Sequence, residues 1–190
     1  PWALGLGLGV GGWGLDIRHS AFASDVRRPT FCVLRSAFLF DTVSPPHVRG
    51  PDSEILRVTG VYSVLATPFK TGGEVDVESL RRYVEHFLGA GVSGFTALGV
   101  LGEAARLTER ERGLVLETVL TQVNGRVPVV VGTTTEGLHT CLELSKAAQA
   151  AGAAKVMVSP PRAPKLNSAS VKAHFAALAD ALTIPIVIQD

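Results

Sequence analysis

From Val61 onward, short apolar runs recur at nearly equal steps. They begin near residues 61, 94, 127, 154 and 184, a step of about thirty residues, the size of one strand–helix unit. The runs do not alternate apolar with polar; Val129-Val130-Val131 is the clearest case. Strands that are apolar on both faces belong to a parallel sheet covered on both sides.

The stretches between the runs read as helices. Asp76 is a candidate N-cap for a helix whose Leu80, Tyr83, Val84, Phe87 and Leu88 share one face. Thr108-Glu109-Arg110-Glu111 has the spacing of a capping box, in which hydroxyl and carboxylate each satisfy the other residue's backbone N–H. The helix it opens places Leu114, Val115, Thr118 and Val119 inward and stops at Asn124-Gly125. A third helix spans about 135–151, with Leu138, Leu142 and Ser145 inward, and a fourth spans about 168–182, with Val171, Phe175, Leu178 and Leu182 inward. The strands are expected at 61–69, 94–98, 127–132, 154–159 and 184–189. Two architectures share this α/β grammar. One is a five-stranded doubly wound sheet, and the other is an incomplete eight-stranded barrel, whose whole needs about 250 residues.

Residues 1–58 differ. Their basic residues are all arginine, both tryptophans (Trp2 and Trp13) lie there, and no helical or strand period persists. The segment reads as an irregular or disordered extension that need not belong to the native coding sequence, with 31–40 the one stretch able to form a short helix or strand. Gly7, Gly9 and Gly12 match a dinucleotide fingerprint by letter, but no strand precedes them and no helix follows. No basic region precedes the apolar start, as a secretory signal requires. The chain begins on Pro1 and stops on Asp190 directly after a strand-like run, so both ends read as cuts.

The totals exclude some classes. A formal charge of +1 gives no field for nucleic acid or an anionic membrane. No apolar run is long enough to span a bilayer. Cys32 and Cys141 stand far apart with no metal or redox spacing; they read as reduced thiols of a cytoplasmic protein. The five histidines, 19, 47, 86, 139 and 174, form no pair at ligand spacing, so no metal site is expected. His86 and His174 read as surface or interface residues.

The most specific stretch is Gly99-Val100-Leu101-Gly102-Glu103. A glycine-bounded turn after a buried strand lets backbone N–H groups converge on an anion without side-chain obstruction. Three other stretches accompany it: Thr67-Pro68 at the end of the first strand, Val129-Val130-Val131-Gly132-Thr133, and Ile184-Pro185-Ile186-Val187-Ile188-Gln189-Asp190. In order and spacing, the four together resemble the N-terminal part of the dihydrodipicolinate synthase / N-acetylneuraminate lyase family. That resemblance implies a partial (β/α)8 barrel, with strands one to five present and six to eight absent, over residues 59–190. It implies a homo-oligomer and a small 2-keto-acid substrate such as pyruvate, with no cofactor. The implied chemistry is that of a Schiff-base lyase: an amine at the end of the sixth barrel strand attacks the ketone, and the protonated imine acts as an electron sink.

Carried onto this chain, the resemblance makes the backbone of Gly99, Val100 and Leu101 the carboxylate cradle. Gly102 and Glu103 become structural neighbours, with Glu103 holding backbone N–H groups rather than serving as a general acid. Thr67 reads equally as a substrate contact or a loop cap. Arg162, in Pro160-Pro161-Arg162-Ala163 where the synthases carry a tyrosine pair, could meet an anionic substrate or stand as a solvated loop charge. Three departures stand out. The lysine-bearing strand is not in the chain, and Lys70, Lys146, Lys155, Lys165 and Lys172 read as solvated charges. Val100 and Leu101 replace two hydroxyl residues. Gln189 stands where a proton-relay tyrosine is expected, and an amide cannot act as a general acid near neutral pH. These substitutions point away from the synthase proper, toward another 2-keto-acid aldolase, a dehydratase, or a barrel that binds a small acid without turnover. Thr133 and Thr134, at a strand end, read equally as substrate contacts or loop caps.

Overall fold

The computed structural model describes residues 31–34, 60–162 and 167–189. The glycines at 7, 9 and 12, both tryptophans, His19, His47, Lys165 and Asp190 lie outside them.

The strands are β1 (Phe31–Leu34), β2 (Tyr62–Val64), β3 (Gly94–Ala97), β4 (Val129–Gly132), β5 (Lys155–Val158) and β6 (Ile186–Gln189). The helices are α1 (Val77–Gly89), α2 (Glu109–Val123), α3 (Leu138–Ala150) and α4 (Ser168–Ala181). Their ends are set by local chemistry. Asp76 accepts from the Ser79 N–H at 3.1 Å, Asn167 accepts from the Ser170 N–H at 2.8 Å, and Thr108 with Glu111 forms the complete capping box. Asn124 ends α2 in the left-handed conformation.

Among the described residues these strands pair in parallel, in the order β1-β6-β5-β4-β3-β2. From β2 to β6 each strand lies beside its predecessor. A doubly wound sheet reverses direction part-way; this one does not, so that alternative is excluded. The side chains agree. Phe95, Ala97, Val129, Val131, Val156, Val158, Ile186 and Ile188 share one core with helix residues such as Leu80, Val84, Val119, Cys141, Phe175 and Leu178. The alternate strand residues Val130, Met157 and Val187, with Tyr62 against them, form a separate small cluster on the other face. The helices therefore cover one face, and four strand–helix–strand steps wind in one sense, as in part of a (β/α)8 barrel. Complete burial of a side chain such as Leu80 or Phe95 contributes roughly 1.5–3 kcal/mol.

Phe31–Leu34, in the one stretch of residues 1–58 expected to be able to form a short helix or strand, is a strand paired with β6. Four expectations are corrected. Leu114 is 40% exposed because the buried stripe of α2 runs through Val115, Thr118, Val119 and Val123, one position round from it. Leu138 is exposed at the first turn of α3, whose stripe is Cys141, Ser145 and Ala148. His174 is buried rather than superficial, and burial pushes its imidazole pKa down. Lys155 is 5% exposed rather than solvated.

Candidate functional site

Because β2 to β6 are parallel, the loops that follow β2 to β5 and the last residue of β6 lie at one end of the sheet. That end gathers Thr67, the 99–103 turn, Thr133 to Glu136, Ser159 to Arg162, and Gln189. In wound α/β folds this is the end that binds ligands.

The turn is held by unusual backbone geometry. Leu98 and Glu103, on either side of it, have φ of 55° and 53°. A bulky residue in the left-handed region costs on the order of 1–3 kcal/mol, and such strain collects at functional sites. The Glu103 N–H closes the turn on the Val100 carbonyl at 3.0 Å. The buried Thr67 hydroxyl donates to the Gly102 carbonyl at 2.7 Å. Gly132 lets the turn lie on β4, since a Cβ there would stand 2.3 Å from the Leu98 carbonyl oxygen. At Gly102 a Cβ would approach the Leu65 carbonyl oxygen to 3.1 Å. Within the described residues no hydrogen bond uses the N–H of Leu101 or Gly102, so two successive donors of the turn have no partner there. The side chains of Val100 and Leu101 are 85% and 58% exposed.

The other residues have definite places. Thr67 is a support of the turn. Glu103 does not hold backbone N–H groups; its carboxylate pairs with Arg106 at 2.8 Å. The Thr133 hydroxyl is spent on Ser145 at 2.8 Å, inside the protein. Thr134 accepts from the Ser159 N–H at 2.9 Å, and Glu136 accepts from the Arg162 N–H at 2.8 Å. These two bonds tie the loop after β4 to the loop after β5 and leave the Arg162 side chain exposed. The Ser159 hydroxyl lies 3.5 Å from the Gln189 side-chain oxygen. Ser159, Glu136 and the strained Leu98 are site features the sequence reading passed over. Ser159 had one signal, a hydroxyl residue at a strand end just before Pro160-Pro161.

Other chemistry lies elsewhere. Lys155 starts β5 and so stands at the opposite end of the sheet. Burial pushes the Cys141 thiol up, so it rests protonated. A cavity of about 500 Å³ is lined by Asn124, Gly125, Pro128 and Gly152, at the strand beginnings, and borders none of the site residues. Among the described residues no group of three or more His, Cys, Asp or Glu could hold a metal. No helix among them is long and apolar enough to cross a membrane.

The family model described as "Dihydrodipicolinate synthetase family" matches residues 57–190. The chain belongs to this family. It is 39% identical over 131 residues to the 4-hydroxy-tetrahydrodipicolinate synthase of Methanococcus vannielii, covering 69% of this chain and 45% of that protein. With the enzyme of the same name from Pelobacter propionicus it is 40% identical over 131 residues, at the same coverages. Among solved structures it superposes on YagE, a prophage protein of the family from E. coli K12 in complex with pyruvate. The TM-score there is 0.67 at 30% identity, covering 70% of this chain and 47% of that one. The chain thus spans somewhat under half the length of the dihydrodipicolinate synthetase family members it matches.

Proposed function

We propose that this chain is the carboxylate-binding part of a Schiff-base lyase that makes or breaks a carbon–carbon bond in pyruvate or another 2-keto acid. The observation that carries the reading is the strained 99–103 turn at the ligand end of the sheet, with the Leu101 and Gly102 N–H groups unspent. Two successive unspent N–H donors suit a carboxylate. The backbone of Gly99, Val100 and Leu101 supplies the cradle together with the Gly102 N–H, Thr67 and Gly132 hold it in place, and Arg162 meets the anionic substrate from the loop after β5. Support also comes from the pyruvate bound to the YagE structure.

The amine comes from outside residues 1–190. It attacks the ketone carbon, water leaves, and the protonated imine accepts the electron pair of the broken bond. Lys155, the buried lysine, stands at the wrong end of the sheet for this step. Gln189, beside Ser159, orients substrate by hydrogen bonding and leaves proton transfer to another group. The exposed apolar pair Val100 and Leu101 favours a 2-keto acid with an apolar group near its carboxylate. The whole protein is a cytoplasmic homo-oligomer, with neither nucleic acid nor membrane as partner.

The test is borohydride trapping with pyruvate on the complete translated reading frame that contains this sequence. An adduct is expected on one lysine outside residues 1–190, with Lys70, Lys146, Lys155, Lys165 and Lys172 unmodified. An intact, folded protein that gives no adduct would overturn the lyase. The substitutions at Val100, Leu101 and Gln189 would then support a barrel relative that binds a small acid without turnover.

A further inference from the structure

The loop after β5 is short of hydrogen-bond donors. It reads Ser159-Pro160-Pro161-Arg162. A proline has no N–H, so the backbone donors of this stretch belong to Ser159 and Arg162. Side chains of the preceding loop take both. The Ser159 N–H donates to the Thr134 hydroxyl oxygen at 2.9 Å, and the Arg162 N–H donates to the Glu136 carboxylate at 2.8 Å. Among the described residues no backbone–backbone bond holds 159–162. Each proline fixes its own φ and restricts the residue before it to extended conformations. The stretch is a stiff spacer pinned at both ends, and the side chains at 134 and 136 decide where it lies.

The pins stand on a firm base. Thr133 donates its N–H to the Met157 carbonyl at 3.0 Å, and its buried hydroxyl is bonded to Ser145. Met157 also meets the carboxylate turn, since a Cβ on Gly99 would stand 3.5 Å from its Cε. The 99–103 turn and the pinned stretch are therefore both referred to β5.

We propose that Glu136 is a positioning residue: through the Arg162 N–H it sets where the Arg162 side chain stands relative to the carboxylate turn. The inference rests on the function proposed above, in which Arg162 meets the anionic substrate. Among the described residues no ion pair joins the Glu136 and Arg162 side chains. The link runs through the backbone, so an acceptor oxygen matters at 136 and its charge does not. A loop held in its binding conformation beforehand loses less entropy when ligand arrives. Glu136 also directly precedes Gly137, the N-cap of α3, where a carboxylate favours a helix by its charge. That role differs in two ways: it would vanish with the charge, and it would not depend on Arg162.

The test is a double-substitution cycle on pyruvate binding, measured by calorimetry on the complete translated reading frame that contains this sequence. Arg162→Ala should raise the dissociation constant about tenfold, as for a lost hydrogen bond to a charged group. Glu136→Ala should raise it about fivefold, as for a side chain left to be ordered on binding. Glu136→Gln keeps the acceptor and should match the parent. With Arg162 already replaced, Glu136→Ala should add nothing, because one residue acts through the other. Four results would overturn the proposal: parental affinity in Glu136→Ala, parental affinity in Arg162→Ala, a Glu136→Gln as weak as Glu136→Ala, or additive effects in the double variant. A parent that binds no pyruvate would remove the proposed function, and a ligand-free readout stands apart from it. Hydrogen exchange of the Arg162 amide should quicken about tenfold in Glu136→Ala and stay parental in Glu136→Gln, as for local release of a loop. Equal exchange in the parent and Glu136→Ala overturns the proposal whatever binds.

Discussion

Thr67 shows how one hydroxyl can set a site. Its donor bond to the Gly102 carbonyl is buried and links residues far apart in sequence. Thr67→Val keeps the shape and removes the donor, so a buried carbonyl loses its partner. The expected cost is about 1–3 kcal/mol in urea denaturation, with weaker binding of pyruvate; unchanged stability and binding would show that the turn holds itself. At this scale the sequence was partly readable. The glycines at 99 and 102 announced a tight turn, because only close backbone approach needs two of them so near each other. The left-handed residues at Leu98 and Glu103 were not readable, since neither is a residue that favours that region. Lys155 and His174 misled for another reason. Composition assigns charged and polar side chains to water, and only the packing shows that these two are buried.

Between elements, α1 and α2 are fastened by Glu85. Its carboxylate takes the Arg126 guanidinium and the Gln122 amide, and these bonds, Arg126 first, lower its pKa to about 2. The native state therefore binds fewer protons than the unfolded chain between the ordinary carboxylate pKa and about 2. The stabilisation is complete above that window and is lost as pH falls through it. In Glu85→Gln the acid side of the stability–pH curve should be shallower than in the parent. Added salt should weaken the difference, because both side chains are about half exposed. Identical acid curves would mean that the bridge contributes nothing to folding. Neither residue announces this pairing in sequence, because Glu85 lies on α1 and Arg126 in the turn after α2. The capping box at Thr108 was legible because its partners are three residues apart. Helix faces were legible where the apolar stripe is dense, as in α4, where Val171, Phe175 and Leu178 are all buried. They failed at Leu114, one position off a stripe that the neighbouring valines already fill.

For the whole molecule, the thirty-residue step predicted repeated strand–helix units but left the winding open. Winding depends on which strand neighbours which, and local period carries no information about that. The order from β2 to β6 decides it, with helices on one face and the small cluster of Val130, Met157 and Val187 on the other. This arrangement brings four loops and the end of β6 to one end of the sheet, gathering there residues spread from Thr67 to Gln189. The β1 pairing was the least legible feature, since a four-residue apolar run gives no sign of where it docks. The claim that joins these scales is that the 99–103 turn receives the carboxylate of a small 2-keto acid. The most direct measurement is a titration of the ¹⁵N-labelled chain with pyruvate, followed through its backbone amides. Saturable shifts at Val100, Leu101 and Gly102, with the amides around Pro128 and Gly152 at the other end of the sheet unmoved, are the predicted result. An unmoved turn at saturating pyruvate, or shifts confined to another part of the molecule, would contradict it.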